Sequence, residues 1–212
     1  MITQKGQSIE DRSMEIIESE IGSHPYSQDE WTIVKRIIHS TADFDFARAN
    51  KIIFHKQAIE NGINALKAGC NITVDVNGVV GLLNKDNLAK FGNKVICSIS
   101  DPAVVEEAKR LNKTRAQTAM RLGAKDIEGA IVAIGNAPTA LQEVVQMVRE
   151  GAARPALVIG IPVGFVCASE SKEELAGSQV PYITNIGRKG GSPCASAILN
   201  ALYIVLKQKL SS

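Results

Sequence analysis

The sequence predicts a three-layer α/β/α fold, flavodoxin-like in its general order, with a five-stranded, mainly parallel sheet and an N-terminal helical extension. From Gly69 onward the chain repeats one pattern: a short β-branched run, a loop of small or polar residues, and a helical stretch. The runs are short and continuously apolar, which is typical of strands covered by helices on both faces. Alternating strands and helices imply parallel strands with right-handed crossovers.

Residues 1–68 carry helical patterns. Ser8 with Asp11 predicts the start of one helix, and the SQDE capping box of Ser27 and Glu30 predicts the start of a second. The second helix has two distinct sides at 100° per residue. Its apolar side holds Trp31, Ile33, Val34, Ile37 and Ile38, and its polar side holds Thr32, Lys35, Arg36 and His39. We expect residues 1–212 to form a single domain, with residues 1–68 mainly helical.

The repeating βα part covers residues 69–212. Its predicted strands occupy residues 72–76, 95–99, 130–134, 156–161 and 180–186. Helix-start signals lie between them: Asp101 before Pro102, and a capping box of Ser171 and Glu174. Pro193 opens the last helix.

Composition excludes several classes of protein. The net charge of +2, from 24 basic and 22 acidic side chains, gives no overall field for nucleic acid or anionic lipid. The four cysteines form no CxxC pair and lie near no histidine at metal-ligand spacing, so we expect no metal site. The N-terminus has no apolar signal region, and no run reaches membrane-spanning length. We expect a cytoplasmic protein that binds neither nucleic acid nor membrane.

The ligand site is expected at the carboxyl edge of the sheet, where parallel α/β sheets bind ligands. The five strand ends are rich in glycine, proline and polar residues: 75–78, 98–102, 135–139, 160–164 and 185–192. The last contains GRKGGS (residues 187–192), whose backbone amides could hold an anion. A turn with two solvated cations explains it equally well. The P-loop and GxGxxG spacings are absent, which argues against nucleotide binding.

His39 is the leading candidate for proton transfer. Arg36 lies one helical turn before it, and Asp43 would face it from four residues ahead if the helix persists. A histidine under opposing charges can take and return a proton near pH 7. The alternative is a solvated surface histidine. Four other residues also have a structural interpretation without a functional role. Ser13 and Arg115 would be surface positions, and Asn136 and Thr139 would be helix caps.

The chain resembles the precorrin-8X methylmutase family, also called cobalt-precorrin-8 methylmutase in the anaerobic route to vitamin B12. The matching segments occur in the family's order over nearly the whole chain. Two of them, IVAIGNAPTALQEVVQMV and PALVIGIPVGFVCASESKEEL, contain the specific strings IGNAPTAL and VGFVCASESKEEL. The others are SIEDRSMEII, HPYSQDEWTIVKRIIHSTADFDFA, VDVNGVVGLL, GNKVICSISDP, NKTRAQTAM, and PYITNIGRKGGSPCASAILNAL.

The resemblance implies a cobalamin-pathway isomerase that moves a methyl group from C11 to C12 of the macrocycle, giving hydrogenobyrinate or cobyrinate. It implies His39 as the proton donor and acceptor. Substrate binding is expected from Ser13, Arg36, Arg115, Asn136, Gly187, Arg188, Gly190 and Ser192, with Asp75, Gly78 and Thr139 supporting the pocket. A homodimer without cofactor is implied, and any cobalt belongs to the tetrapyrrole substrate.

One position departs from the family pattern. Many relatives carry a larger apolar residue, often methionine, where this chain has Gly78. The departure concerns how the pocket wall near the loop after the first predicted strand is filled, and not the reaction.

Two functions of other classes remain as alternatives. A non-catalytic corrinoid carrier would keep the pocket but would not need the RxxH pair, so Arg36 and His39 favour the enzyme. A flavodoxin-like nucleotide-binding or regulatory domain lacks the phosphate-loop motifs that it would need.

Overall fold

The computed structural model describes residues 3–49 and 51–211. Its strands are β1 (Ile52–Phe54), β2 (Asn71–Val74), β3 (Lys94–Ile96), β4 (Ile131–Ile134), β5 (Leu157–Gly160) and β6 (Tyr182–Asn185). Its helices are α1 (Gln4–Ile21), α2 (Gln28–Thr41), α3 (Ala58–Lys67), α4 (Asn77–Gly81), α5 (Lys85–Phe91), α6 (Pro102–Leu111), α7 (Arg115–Leu122), α8 (Ala124–Ile127), α9 (Pro138–Arg149), α10 (Ala168–Ala176) and α11 (Ser192–Ser211). A 3₁₀ turn occupies Phe44–Ala47.

One sheet runs through the molecule in the order β1-β6-β5-β4-β2-β3. Strands β2 to β6 are parallel and correspond to the five predicted strands. Numbered among themselves along the chain, they have the order 2-1-3-4-5, which is the flavodoxin-like order. The predicted α/β fold class is confirmed.

The prediction of five strands is wrong by one, because β1 joins the sheet at its edge. It runs antiparallel to β6, with Ile52 opposite Asn185 and Phe54 opposite Ile183. Its three residues are too few to show a strand period, so local pattern does not predict it. The mainly helical N-terminal part therefore contributes an edge strand to the sheet.

Helices cover the sheet on both faces, and β5 shows this residue by residue. Leu157 and Ile159 belong to a core cluster shared with α2, α3 and α11, while Val158 belongs to a cluster shared with α7, α9 and α10. Successive strand side chains point to opposite faces, so β5 contributes to two separate cores. The continuous apolar runs in the sequence follow from this arrangement.

Two of the predicted helix starts are confirmed. Ser27 caps α2 with the full capping box, in which its hydroxyl accepts from the Glu30 N–H and the Glu30 carboxylate accepts from the Ser27 N–H. Asp101 precedes α6, with Pro102 at its first position. Helix α11 begins at Ser192, one residue before Pro193.

Two other predicted starts are wrong. Helix α1 begins at Gln4, where the Thr3 hydroxyl accepts from the Gly6 N–H, and not at Ser8. Helix α10 begins at Ala168, so Ser171 lies inside it, buried, with its hydroxyl donating to the Ala168 carbonyl. A serine can bond backwards within a helix as readily as it can cap one, so the S-x-x-E spacing does not fix a start. No helix in the described part of the chain is long and apolar enough to cross a bilayer.

Candidate functional site

His39 lies exposed on the last turn of α2 and lines a cleft of about 410 Å³. The cleft lies between α1, α2, α11 and the residues around the start of α5. Its lining residues are Glu10, Arg36, His39, Ser40, Asn84, Asn87, Ala197, Asn200, Ile204 and Lys207. The structure therefore brings together two of the predicted site residues, Arg36 and His39.

Helix α2 holds His39 toward the cleft because its other side is buried. The five residues of the predicted apolar side are the buried residues of this helix: Trp31, Ile33, Val34, Ile37 and Ile38. Helix α11 packs antiparallel to α2, since the Ser40 hydroxyl reaches the Pro193 carbonyl at 3.5 Å and Lys209 pairs with Asp29 at 2.8 Å. His39 therefore lies near the start of α11, at the carboxyl edge of the sheet.

Ser13 lies on a second depression, of about 240 Å³, that also touches His39. This depression is mainly apolar and includes Ile16, Ile38 and Phe44. The Ser13 hydroxyl donates to the Ile9 carbonyl at 2.8 Å, which leaves its oxygen free to accept a further hydrogen bond. His39 thus separates a polar cleft from an apolar one.

The charges near His39 differ from the sequence expectation in one respect. Arg36 forms an ion pair with Glu10. Helix α2 ends at Thr41, and Ala42 takes a left-handed conformation (φ 53°), so the chain turns before Asp43. The expectation that Asp43 faces His39 along the helix is therefore wrong; Asp43 is bonded instead to Lys189 at 2.7 Å.

The turn after β6 is fixed by hydrogen bonds from a buried amine. Lys172 is 2% exposed, and its Nζ donates to the carbonyls of Gly187 (2.8 Å) and Lys189 (2.6 Å). Burial lowers the pKa of Lys172 to about 8. A Cβ on Gly190 would collide with the Ile161 carbonyl oxygen, so only glycine fits there. The turn that the sequence suggested as an anion site is thus a fixed element at the carboxyl edge.

Ser192 fills the space beside Gly78. A Cβ built on Gly78 would lie 2.9 Å from the Ser192 Oγ, and one built on Gly135 would lie 3.0 Å from the Ser192 Cα. The first residue of α11 therefore occupies the space that a side chain at Gly78 would need.

Asp75 occupies the point where the strand order reverses, between the ends of β2 and β4. Its buried carboxylate accepts hydrogen bonds from the N–H groups of Gly135 (3.0 Å), Asn136 (2.8 Å) and Ala137 (2.7 Å). Burial raises its pKa, and these hydrogen bonds only partly oppose that rise. In doubly wound folds the ligand binds in such a crevice. Here the Asp75 carboxylate occupies the position that these three backbone N–H groups surround.

The cap readings of Asn136 and Thr139 are wrong. Helix α9 starts at Pro138 without a side-chain cap, and the N–H groups before it bond to Asp75. The Thr139 hydroxyl instead lies 2.8 Å from the Thr114 hydroxyl, which joins the starts of α9 and α7.

Arg115 and Arg188 do not line the His39 cleft. Arg115 is exposed at the first position of α7, a helix that packs on the opposite face of the sheet from α2. The Arg188 guanidinium lies 5.9 Å from the ring centre of Phe165, which is 86% exposed. Both arginines lie near the carboxyl edge, but not beside His39.

Sequence reasoning missed the polar residues that complete the cleft. Glu10, Asn84, Asn87, Asn200 and Lys207 come from three distant segments and form no local motif. Only the spacing of Asn200, Ile204 and Lys207 along one helix face could have grouped some of them.

The four cysteines are free, and Cys194 is buried. Burial raises the pKa of Cys70 to about 11 and that of Cys194 to about 12, so both stay protonated near neutral pH. The described residues contain no group of three or more His, Cys, Asp or Glu side chains arranged for a metal ion.

Comparison with known proteins gives one consistent result. Residues 8–205 match the family described as "CbiC: Precorrin-8X methylmutase". A cobalt-precorrin-8 methylmutase of Priestia megaterium is 50% identical over 204 residues, covering 96% of this chain and 90% of that protein. A precorrin-8X methylmutase of a Sinorhizobium species is 37% identical, covering 93% of each chain. The crystal structure of the Thermus thermophilus precorrin-8X methylmutase superposes with a TM-score of 0.89 at 42% identity, covering 96% of this chain and 98% of that one.

Proposed function

This chain belongs to the precorrin-8X methylmutase family, and we propose that it is an isomerase of cobalamin biosynthesis. The reaction moves a methyl group from C11 to C12 of precorrin-8X or cobalt-precorrin-8 and yields hydrogenobyrinate or cobyrinate. The relatives with which it shares 50% and 45% identity are named for the cobalt-containing substrate. They support a cobalt-bearing substrate for this chain.

The observation that carries the mechanism is the position of His39 in a cleft, one turn from Arg36. The methyl shift is intramolecular, so no atom is gained or lost between substrate and product. His39 gives a proton to the conjugated ring, the methyl migrates with the electron pair of its bond, and the ring returns a proton as it reaches the product tautomer. Acid–base assistance of this kind typically contributes about 10²–10⁴-fold in rate.

Arg36 is proposed to bind a carboxylate on the rim of the macrocycle. Its guanidinium is paired with Glu10 before substrate arrives, so binding exchanges one carboxylate partner for another. The guanidinium keeps an anionic partner throughout this exchange, so its own positive charge is paired both before and after binding. The Ser13 oxygen is proposed to accept a hydrogen bond from the ring's other side.

The proposal extends to the assembly and location of the protein. A homodimer is supported by the apolar side chains of Phe165 (86% exposed) and Val166 (78% exposed) at the carboxyl edge, because apolar residues at a rim favour a subunit contact. In this proposal, Arg115, Asn136 and the turn residues Gly187, Arg188, Gly190 and Ser192 bind the parts of the substrate beyond the His39 cleft. Four free cysteines support a reducing, cytoplasmic location. No resident cofactor takes part in the proposed reaction.

Incubation of the purified protein with precorrin-8X tests the proposal. The enzyme is expected to convert the substrate to an isomer of equal mass with a different absorption spectrum. A protein that binds the pigment without changing it would be a carrier, and that outcome would contradict the proposed function.

A further inference from the structure

Lys207 lies in the His39 cleft, at the end farthest from His39. Four residues of α11 line the cleft at spacings of three and four, on one face of the helix: Ala197, Asn200, Ile204 and Lys207. Because α2 and α11 are antiparallel, Ala197 lies at the level of the α2 C-terminus. Lys207 is ten residues further on, about 15 Å along the helix axis.

Among the described residues, the positive charge of Lys207 has no anionic partner. Its Nζ donates to the amide oxygen of Asn87, which is neutral. Arg36, the other cation of the cleft, is already paired with Glu10. In the ranges 3–49 and 51–211 no carboxylate forms an ion pair with Lys207. Of the described Lys and Arg residues that line the cleft, Lys207 is therefore the one without a carboxylate partner.

The wall beside Lys207 is fixed by hydrogen bonds of its own. The Asn200 side chain accepts from the Asn84 N–H at 3.0 Å and donates to the Leu82 carbonyl at 3.0 Å. Asn87 is buried and its backbone N–H bonds to the Asn84 side chain at 3.0 Å. The amide that orients Lys207 is thus held in place, and the ammonium is presented in a defined position.

We propose that Lys207 binds a peripheral carboxylate of the tetrapyrrole on the side of the ring remote from His39. This inference rests on the proposed function. A rigid disc that contacts a cation at one end of the cleft and an imidazole at the other can lie in only a few orientations. Lys207 is therefore a specificity-determining residue that selects which edge of the ring meets His39.

The test compares two uncharged variants, Lys207→Gln and Lys207→Met, with Lys207→Arg, which keeps the charge. Lys209→Gln is the matched control, since Lys209 lies on the same helix but pairs with Asp29 outside the cleft. Hydrogenobyrinate is titrated by absorbance at low and high salt, and its permethyl ester, which carries no carboxylates, is titrated in parallel. The KM and kcat for precorrin-8X are measured for each variant, with circular dichroism as the check on folding.

Loss of one charge-assisted hydrogen bond predicts a Kd about tenfold weaker for hydrogenobyrinate in both uncharged variants. KM is expected to rise in the same variants, and the salt dependence of binding to fall. Lys207→Arg and Lys209→Gln are expected to stay close to the wild type, and the permethyl ester to bind wild type and variants alike.

Two results would overturn the inference in distinguishable ways. An active wild type whose Kd and KM are unchanged in Lys207→Gln and Lys207→Met would remove the Lys207 contact and leave the proposed function standing. A wild type that neither binds hydrogenobyrinate nor converts precorrin-8X would remove the proposed function, and the role of Lys207 with it.

Discussion

The Lys189 ammonium donates to the Asp43 carboxylate at 2.7 Å and so joins the turn after β6 to the chain just beyond the His39 helix. The same ammonium reaches the Asp45 carboxylate, also at 2.7 Å. The buried Lys172 ammonium donates to the carbonyls of Gly187 and Lys189 in the same turn. Two lysines therefore connect α10, the turn and the end of α2, and we expect this connection to fix where His39 stands.

Replacement of Lys189 by methionine is expected to reduce kcat about tenfold and to leave KM nearly unchanged. The reason is that the residues just after α2 lose their ion pairs with the turn. Small displacements of a catalytic group lower the reaction rate strongly. Steady-state kinetics with precorrin-8X measure both constants. Lys189→Arg, which keeps the charge, is the control; equal kcat values for the two variants would contradict the positioning role.

Lys172→Met is expected to change the pH dependence of stability. The pKa of Lys172 is lowered to about 8 in the folded protein from 10.5, so between these values the unfolded chain binds more protons. The cost of burying the charge is full below about pH 8 and is relieved as pH rises toward 10.5, which means that stability gains with rising pH.

Urea denaturation at pH 7 and at pH 10 measures this effect. The wild type is expected to gain about 2 kcal/mol relative to Lys172→Met between the two pH values. If the free energy of unfolding changes equally in the two proteins between pH 7 and pH 10, burial of the Lys172 amine carries no penalty.

Asp75→Asn is expected to lower the free energy of unfolding by about 1–3 kcal/mol. The amide keeps one acceptor oxygen but turns an NH₂ group toward a buried backbone N–H, which is left without an acceptor. Thermal or urea unfolding measures the loss. Asp86→Asn, at an exposed position in the first turn of α5, is the matched control. A loss of unfolding free energy no larger than that of the control would contradict a stabilising role for the hydrogen bonds to Asp75.

Gly190→Ala is expected to destabilise the protein by about 1–3 kcal/mol, as overpacking does, because its Cβ would collide with the Ile161 carbonyl. Gly81→Ala is the control, since a Cβ there meets nothing within 4 Å. Urea unfolding of both variants provides the comparison. If both lose the same free energy, the close approach of the two strand-end loops is not the constraint that we describe.

Local pattern was enough to predict most of the architecture. The five parallel strands were visible because each is an apolar run flanked by turn residues, and the buried side of α2 followed from helical period alone. Strand β1 was not visible, because three residues carry no period and the paired residues of β6 lie 129 to 133 positions further along the chain.

The site was predictable only where one segment supplies it. His39 and Arg36 share a helix face, so their proximity could be seen in the sequence. Lys207 and Asn87 are 120 residues apart, and Lys189 and Asp43 are 146 apart, so tertiary packing alone brings them together. The hydrogen bonds to Asp75 were missed for the same reason, since the carboxylate follows β2 and the backbone N–H groups that bond to it follow β4.

The rate of a single turnover in His39→Asn tests the central claim most directly. Because His39 is exposed on a helix whose buried side is untouched, the variant is expected to fold and to bind hydrogenobyrinate as the wild type does. Conversion of enzyme-bound precorrin-8X is expected to slow by at least about 100-fold. Conversion at the wild-type rate by a folded variant that binds the pigment would contradict the role of His39.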